Sequence, residues 1–521
     1  MGAAVGARNH VRGQILFKFI AKRLGISLAV LLLGSLLLYV LVINSGDPLQ
    51  DLRESNDPNR ENRIRQRIEN MNLDLPWYER YWEWLTGASK CLIGQCDLGT
   101  ALNGQSVNAL VSTAAGSTLR LVVLATLLAI VVGVILGIVT AIRQYSGFDY
   151  GVTLFAFVAF SLPVFWLGVL LKHYAAIEFN NWIVDADLSW PVILGVAVVV
   201  AFILQAAMGG DLKRRLITFA AIAAGVAAIL IYFDAVTWFR RPALGIPVYI
   251  LAVIGAAALV IMLTSGYKNH RVRNAVGATA GLAIVGYIAT RGYLLTNGSV
   301  AVLLVCFVAA IVAGVAAGQL LGGFSRRQAT FASVVTALLA SLLAVSDLLL
   351  SNWSMYLQEQ PRPIPTIGSM TPNYESTFWM HSIDTLTHLV LPTITLTLIS
   401  IASYTRYTRA SMLDVLNQDY IRTARSKGIS ERKVITRHAL RNSLIPLATI
   451  VAFDFAGLIG GAVITETVFG WQGMGNLFRT GLAQVDPAPV MAFYLVTGTA
   501  AVIMNMMADI AYAILDPRIS R

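Results

Sequence analysis

The chain alternates long apolar runs with short polar or basic connections. Residues 121–142 and 303–324 carry no charged side chain. A helix needs roughly 20 apolar residues to cross a hydrocarbon core, and each run meets that length. Lipid offers no partners to backbone N–H and C=O groups, so such runs must close their hydrogen bonds within a helix. The pattern predicts spans at 24–44, 118–142, 151–177, 190–209, 215–233, 243–265, 275–291, 299–322, 329–350, 386–411, 444–466 and 490–515. The expected fold is an all-α integral membrane protein of about 12 spans with both termini in the cytoplasm. Pro163 interrupts the third span and predicts a kink there.

Residues 45–112, between the first two spans, are polar and read as an external subdomain. Asp57 reads as a helix N-cap with Pro58 at the first helical position. Pro76 opens a second short helix with Trp77, Tyr81, Trp84 and Leu85 at helical spacing. The segment is too small to be stable alone, so it is expected to lie on the membrane-embedded part. Residues 351–384 and 467–488 read as further external loops.

Charge sets the orientation. Arg8, Arg12, Lys18, Lys22 and Arg23 precede the first span without an acid among them, which places that end in the cytoplasm. The first apolar run is longer than a signal-peptide core and lacks a small-residue cleavage site, so it reads as a retained helix. From 190 to 350 the basic turns at 213–215, 268–273 and 326–327 favour three tandem hairpins with those turns inside. An even number of spans returns the chain to the side it left, so this block can be inserted without inverting the later spans. Gly314, Gly318 and Gly322, and likewise Gly277 and Gly281, have the four-residue spacing that permits close helix packing. The block's apolar runs show no acid–base cluster, so no catalysis is expected there. It could pack beside the rest, recruit another membrane protein, or face lipid as decoration.

Of 521 residues, 56% are hydrophobic and 13% charged; soluble domains carry about 25% charged residues. The net charge of +11 would suggest nucleic acid in a soluble protein. Here the basic turns account for it, and no nucleic-acid partner is expected. Cys306 lies in an apolar run and reads as packing. Cys91 and Cys96 sit in the external segment. They either form a disulfide, if that side is oxidising, or remain two thiols. Two sulfurs without nearby histidine are too few ligands for zinc, so no metal site is expected.

The loop at 412–443 is the most specific feature. It contains Asp419-Tyr420-Ile421-Arg422-Thr423-Ala424-Arg425-Ser426-Lys427-Gly428-Ile429-Ser430-Glu431-Arg432. Gly428 can take the left-handed conformation that ends a helix. Ser430 can cap a following helix, with Glu431 in its first turn, where the helix dipole favours an acid. That helix would carry Val434, Ile435, Ala439 and Leu440. A solvated basic loop would satisfy the charge rule alone; the helix–glycine–helix order argues for a docking element.

This stretch resembles the EAA loop of binding-protein-dependent ABC permeases, whose pattern is Glu-Ala-Ala, three residues, then Gly. The corresponding positions are Arg422, Thr423, Ala424 and Gly428, and the first two depart from the consensus. The version here is similar to that of B-type subunits of dipeptide, oligopeptide and nickel permeases. Leu73-Asp74-Leu75-Pro76, Asp97-Leu98-Gly99-Thr100, Ser161–Gly168, His388–Pro392, His438–Pro446, Glu466–Trp471 with Gly473-Met474-Gly475, and the tail Leu515–Arg518 also resemble that family. The resemblance covers 1–178 and 355–521, which together look like a six-helix type I importer permease, and leaves 179–354 as an inserted transmembrane bundle.

The resemblance implies a peptide importer subunit in a bacterial plasma membrane. Asp419, Tyr420, Arg422, Thr423, Ala424, Lys427, Gly428, Ser430, Glu431 and Arg432 would form the coupling helix that seats on an ATPase. A second homologous permease, two ATPases and an external substrate-binding protein are the implied partners. The dipeptide Gly-Lys of a phosphate-binding P-loop never occurs here, so ATP and Mg would be bound by partners and this chain holds no cofactor. Trp166, His388, Glu466 and Trp471 are candidates for pathway or binding-protein contacts, alongside plainer roles in anchoring and packing. Asp454 and Asp509 are further acids at membrane depth. An importer for nickel chelates or other small solutes is the alternative within the family. A twelve-helix secondary transporter is the alternative outside it, but it would show two similar halves.

Overall fold

A computed structural model describes the backbone of residues 2–515 and most side chains between 22 and 507. The side chains of Arg8, Arg12, Lys18, Arg432 and Asp509 and the tail motif at 515–518 lie outside the described residues. Among the described residues every regular element is helical, apart from one isolated bridge between Thr100 and Ser106.

Helix α1 (Gly2–Ile43) leads to the external helices α2 (Gln50–Arg53), α3 (Arg60–Asn70) and α4 (Trp77–Ser89). Then come α5 (Val107–Ile142), α6 (Gly147–Ser161) and α7 (Val164–Leu171). A π-helical stretch, Lys172–Glu178, precedes α8 (Phe179–Trp182). The next six helices are α9 (Trp190–Met208), α10 (Leu212–Ala235), α11 (Gly245–Thr264), α12 (His270–Thr296), α13 (Val300–Leu321) and α14 (Arg326–Glu359). The long α15 (Phe378–Leu416) is followed by α16 (Asp419–Ser426), α17 (Glu431–Lys433) and α18 (Leu440–Gly461). Last are α19 (Val463–Phe469), α20 (Met474–Ala483) and α21 (Pro487–Leu515).

Among the described residues nine helices are long and apolar enough to cross a membrane, or ten if one bent pair counts as a span. The expected twelve also include α9, apolar over its continuously described residues 190–206, and α18, several of whose side chains lie outside the described residues. The bent pair is the predicted kink at Pro163. Segments 147–161 and 164–182 meet at 103°, because Leu162, before the proline, is extended (φ −77°, ψ 127°) and ends α6.

The chain divides into two compact units: 1–171 with 367–369 and 391–521, and 172–366 with 370–390. In the first unit α5 is the spine. Its buried residues recur every three or four positions, from Val107, Val111 and Ala114 to Gly137 and Ala141. A Cβ at Gly137 would stand 2.6 Å from the Cβ of Thr408, so α15 approaches α5 within a distance that only glycine allows. The external segment lies on α1: the Tyr81 hydroxyl is 2.9 Å from Ser35 Oγ, and its ring is 5.4 Å from that of Tyr39. Helix α3 starts at Arg60, later than expected, because Asp57 uses its carboxylate in a tight turn that accepts Asn59 N–H at 2.9 Å. Cys91 and Cys96 are joined by a disulfide.

In the second unit α9 pairs with α10, and α11 to α14 pack together. A Cβ at Gly318 would lie 2.3 Å from Thr330 Cα, so α13 and α14 touch closely. Gly277 and Gly281, expected to serve the same purpose, have nothing within 4 Å of such a Cβ. The block also holds a polar cluster that its sequence did not suggest. Buried Asp347 accepts Tyr287 Oη–H at 2.5 Å, Arg291 Nε–H at 2.9 Å and Gly245 N–H at 2.9 Å.

Candidate functional site

The loop after α15 folds as two short helical pieces on a common apolar base. Ile421 and Ala424 of α16 are buried in one cluster with Ala141, Met412, Val434 and Ala439. The opposite face of α16 presents Asp419, Arg422, Thr423, Ser426 and Lys427 to solvent. Such a helix is too short to persist in isolation, so this buried edge holds it.

Its end is a Schellman motif. Gly428 N–H bonds Arg425 O at 2.9 Å and Ile429 N–H bonds Ala424 O at 3.3 Å, with Gly428 at φ +71°. Ser430 occupies the N-cap position of α17, but its side chain makes no capping bond. Its carbonyl instead accepts Lys433 N–H at 2.8 Å and Val434 N–H at 3.0 Å. Glu431 turns back across the glycine, accepting Arg425 Nη2–H at 2.7 Å and Nε–H at 3.1 Å. These bonds hold the Glu431 carboxyl below its ordinary range and raise the Arg425 guanidinium. Tyr420 Oη accepts a bond from Asn442 Nδ2 at 2.8 Å.

The second helix opens with the π-helical turn Val434–Ala439 before α18. Behind the loop, Arg409 of α15 and Asp149 of α6 form a two-bond ion pair. Sequence reasoning did not single out Arg425, Ile421, Asn442, Arg409 or Asp149 as individual site residues. The arginine six residues before Glu431 and the apolar pair Ile421 and Ala424 were the readable signals.

The other candidates lie elsewhere. Glu466, on α19, is fully buried: one carboxylate oxygen accepts the Thr118 hydroxyl at 2.7 Å and the other accepts Asn476 N–H at 3.0 Å. Trp471 is 1% exposed, donating from Nε1 to Ser117 O at 3.3 Å. Its ring therefore packs on α5 and offers no surface to a docking protein. His388 is buried in the second unit, its Nδ1 2.8 Å from Asp384 O. Asp384 in turn accepts Thr371 N–H at 2.9 Å and the Thr371 hydroxyl at 2.6 Å. Trp166 on α7 is largely exposed. The structure thus places Asp419, Arg422, Thr423 and Lys427 on the exposed side of the loop and Ala424 on its buried edge. Among the described residues no group of three His, Cys, Asp or Glu could hold a metal.

An all-helical, multi-pass membrane protein with an ordered basic loop between α15 and α18 is the class that these features define. Residues 308–521 match the family of binding-protein-dependent transport system inner membrane components, and the chain is a multi-pass bacterial inner-membrane protein. The chain is similar to oligopeptide transport system permease protein OppB of Mycobacterium bovis, 40% identical over 187 residues, which are 36% of this chain and 56% of that protein. It is similar to oligopeptide transport system permease protein AppB of Bacillus subtilis, 46% identical over 155 residues (30% and 48%). It is also similar to dipeptide transport system permease protein DppB of Escherichia coli, 41% identical over 137 residues (26% and 40%). The chain spans about half the length of these relatives.

Proposed function

We propose that this chain is the transmembrane permease subunit of an ATP-driven importer that takes up peptides. Residues 1–178 and 355–521 would form half of the translocation pathway, and 179–354 an inserted bundle beside it. A homologous second permease supplies the other half, two ATPase subunits bind ATP and Mg, and an external binding protein delivers the peptide. The relatives' names support the substrate class.

The observation that carries the reading is the loop: an amphipathic helix, Asp419–Ser426, clamped by a glycine cap and an Arg425–Glu431 bridge. A rigid, exposed helix on a buried base can pass a displacement from a partner into α15 and α18. A change of state requires contacts that differ between the two states, and this helix offers the face to make them.

The test is isolation of the tagged chain from detergent-solubilised native membranes, followed by mass spectrometry. Recovery of a second permease and one or two P-loop ATPases supports the reading, and a co-purifying peptide-binding protein supports the substrate. Recovery of the chain alone, or as a homodimer without ATPase, contradicts it.

A further inference from the structure

Helices α12, α13 and α14 of the second unit line a slot of 570 Å³. Buried Tyr249, Ala340 and Leu348 form its floor, and Leu282, Leu304 and Phe307 stand exposed at its rim. Small residues make the room: Ala283 and Gly286 on α12, Ala310 and Ala313 on α13, and Ala344 on α14. The wall offers a guest few hydrogen bonds. Thr279 Oγ1–H is donated to Ala275 O at 2.9 Å and Thr290 Oγ1–H to Gly286 O at 2.8 Å. Tyr249 Oη–H is donated to Ala340 O at 3.4 Å and Tyr287 Oη–H to Asp347 Oδ2 at 2.5 Å. A buried water needs about two to four polar partners, so the slot suits an apolar occupant.

Its dimensions select among apolar occupants. The lining covers 279–294 on α12 and 337–348 on α14, about 16–22 Å of helix. One leaflet is about 15 Å deep, half of a hydrocarbon core of roughly 30 Å, so the slot is as long as one leaflet. Over that length its volume leaves a mean width of about 6 Å. A helix about 10 Å across would need about 1,200 Å³ in the shorter length, so a partner's helix does not enter. A single alkyl chain does, since packed carbons lie about 4 Å apart. The slot also has a polar end. The basic turns at 268–273 and 326–327 sit at the other ends of α12 and α14, so the charge rule sets the slot toward the outer leaflet. There Arg291, its side chain 25% exposed, donates to Asp347 and Ser351. Asp347 is the same carboxylate that accepts from the slot residue Tyr287, which holds the guanidinium beside the slot. A guanidinium has further donors to offer a phosphate.

We propose that the inserted bundle holds one phospholipid, with an acyl chain in the slot between α12, α13 and α14 and its phosphate against Arg291. The proposal is independent of the transport reading, because it concerns this bundle and a lipid alone.

The experiment is photo-crosslinking of the purified full-length chain in phosphatidylcholine vesicles doped with a phosphatidylglycerol that carries a diazirine on one acyl chain. Adducts are mapped by mass spectrometry. Ser341 and Ala344 line the slot and are partly buried, whereas α10 has no buried residue and reports contact with bulk lipid. The expected result is adducts at both places in the native chain. Gly286→Leu and Ala310→Phe fill the slot and should each lower the adducts at Ser341 and Ala344 by about tenfold, the effect of expelling roughly two buried methylenes, with α10 labelling unchanged. A Cβ at Gly286 has nothing within 4 Å, so that variant is expected to fold, and Ala310→Phe decides the matter should it not. A diacylglycerol with the same diazirine chain but no phosphate should label Ser341 and Ala344 about threefold less, the loss of one partly exposed ionic contact. Labelling of α10 without labelling of Ser341 and Ala344, or equal labelling there in the native chain and the filled variants, would overturn the proposal. Equal slot labelling by the diacylglycerol would overturn the assignment of the phosphate to Arg291.

Discussion

Arg409 and Asp149 face each other through two parallel hydrogen bonds, Nε to Oδ1 and Nη2 to Oδ2, both 2.8 Å. The pair joins the start of α6 to the end of α15, ten residues before Asp419. Asp149 is 2% exposed and also accepts Tyr145 N–H at 3.1 Å. Removing one partner leaves a buried charge uncompensated, which costs about 3–5 kcal/mol. Arg409→Gln should lower unfolding stability in detergent by that order, and Asp149→Asn by less, because the Arg409 side chain left behind is 30% exposed. Arg409→Lys should recover only part of the loss, because an ammonium cannot reproduce the planar fork. Equal stability of all three variants and the native chain would contradict the assignment.

The Arg425–Glu431 bridge makes a pH prediction. The Glu431 pKa is lowered in the folded chain, so its contribution is fully present above the ordinary glutamate value and is lost as pH falls through the lowered folded value. Both side chains are about half exposed, so the bridge contributes at most about 1 kcal/mol. Hydrogen exchange over 419–434, corrected for intrinsic rates, should be flat between about pH 6 and 8 and should loosen only below about pH 4. Glu431→Gln should remove that acid step. A step near neutrality would point to another group.

Alkylation gives a count for the cysteines. The native chain should label once, at Cys306, and three times after reduction. A sequence separation of five closes a small loop, worth about 2 kcal/mol in the chain-entropy account. Cys91→Ser with Cys96→Ser should therefore cost the external segment about that much. Three labels without reductant would contradict the bridge.

The apolar runs made most helices legible. The six runs between 190 and 350 became α9 to α14, because hydropathy and basic turns act within one segment. Features that depend on pairs distant in sequence were not legible. Tyr287 and Asp347 are 60 residues apart, and Arg409 and Asp149 are 260 apart. Pro163 signalled a break but not its 103° angle, which depends on the conformation of Leu162. In the loop, Gly428 announced its φ, since few other residues tolerate it. The π-helical turn at Val434–Ala439 was hidden, because a shift of backbone bonding by one residue leaves hydropathy unchanged. Trp471 read as a candidate for a pathway or binding-protein contact or for packing, and which of these holds depended on α5, some 350 residues earlier in the chain.

Cysteine cross-linking in native membranes tests the central claim, that the exposed face of α16 docks an ATPase. Thr423→Cys and Lys427→Cys, each in a Cys306→Ser background, place a thiol on that face, whereas Ile421→Cys places one on the buried edge. With a short bifunctional maleimide, the account predicts a product containing a P-loop ATPase from the first two positions and none from the third. No ATPase product at Thr423 or Lys427, in membranes where the chain is folded and present, would contradict it.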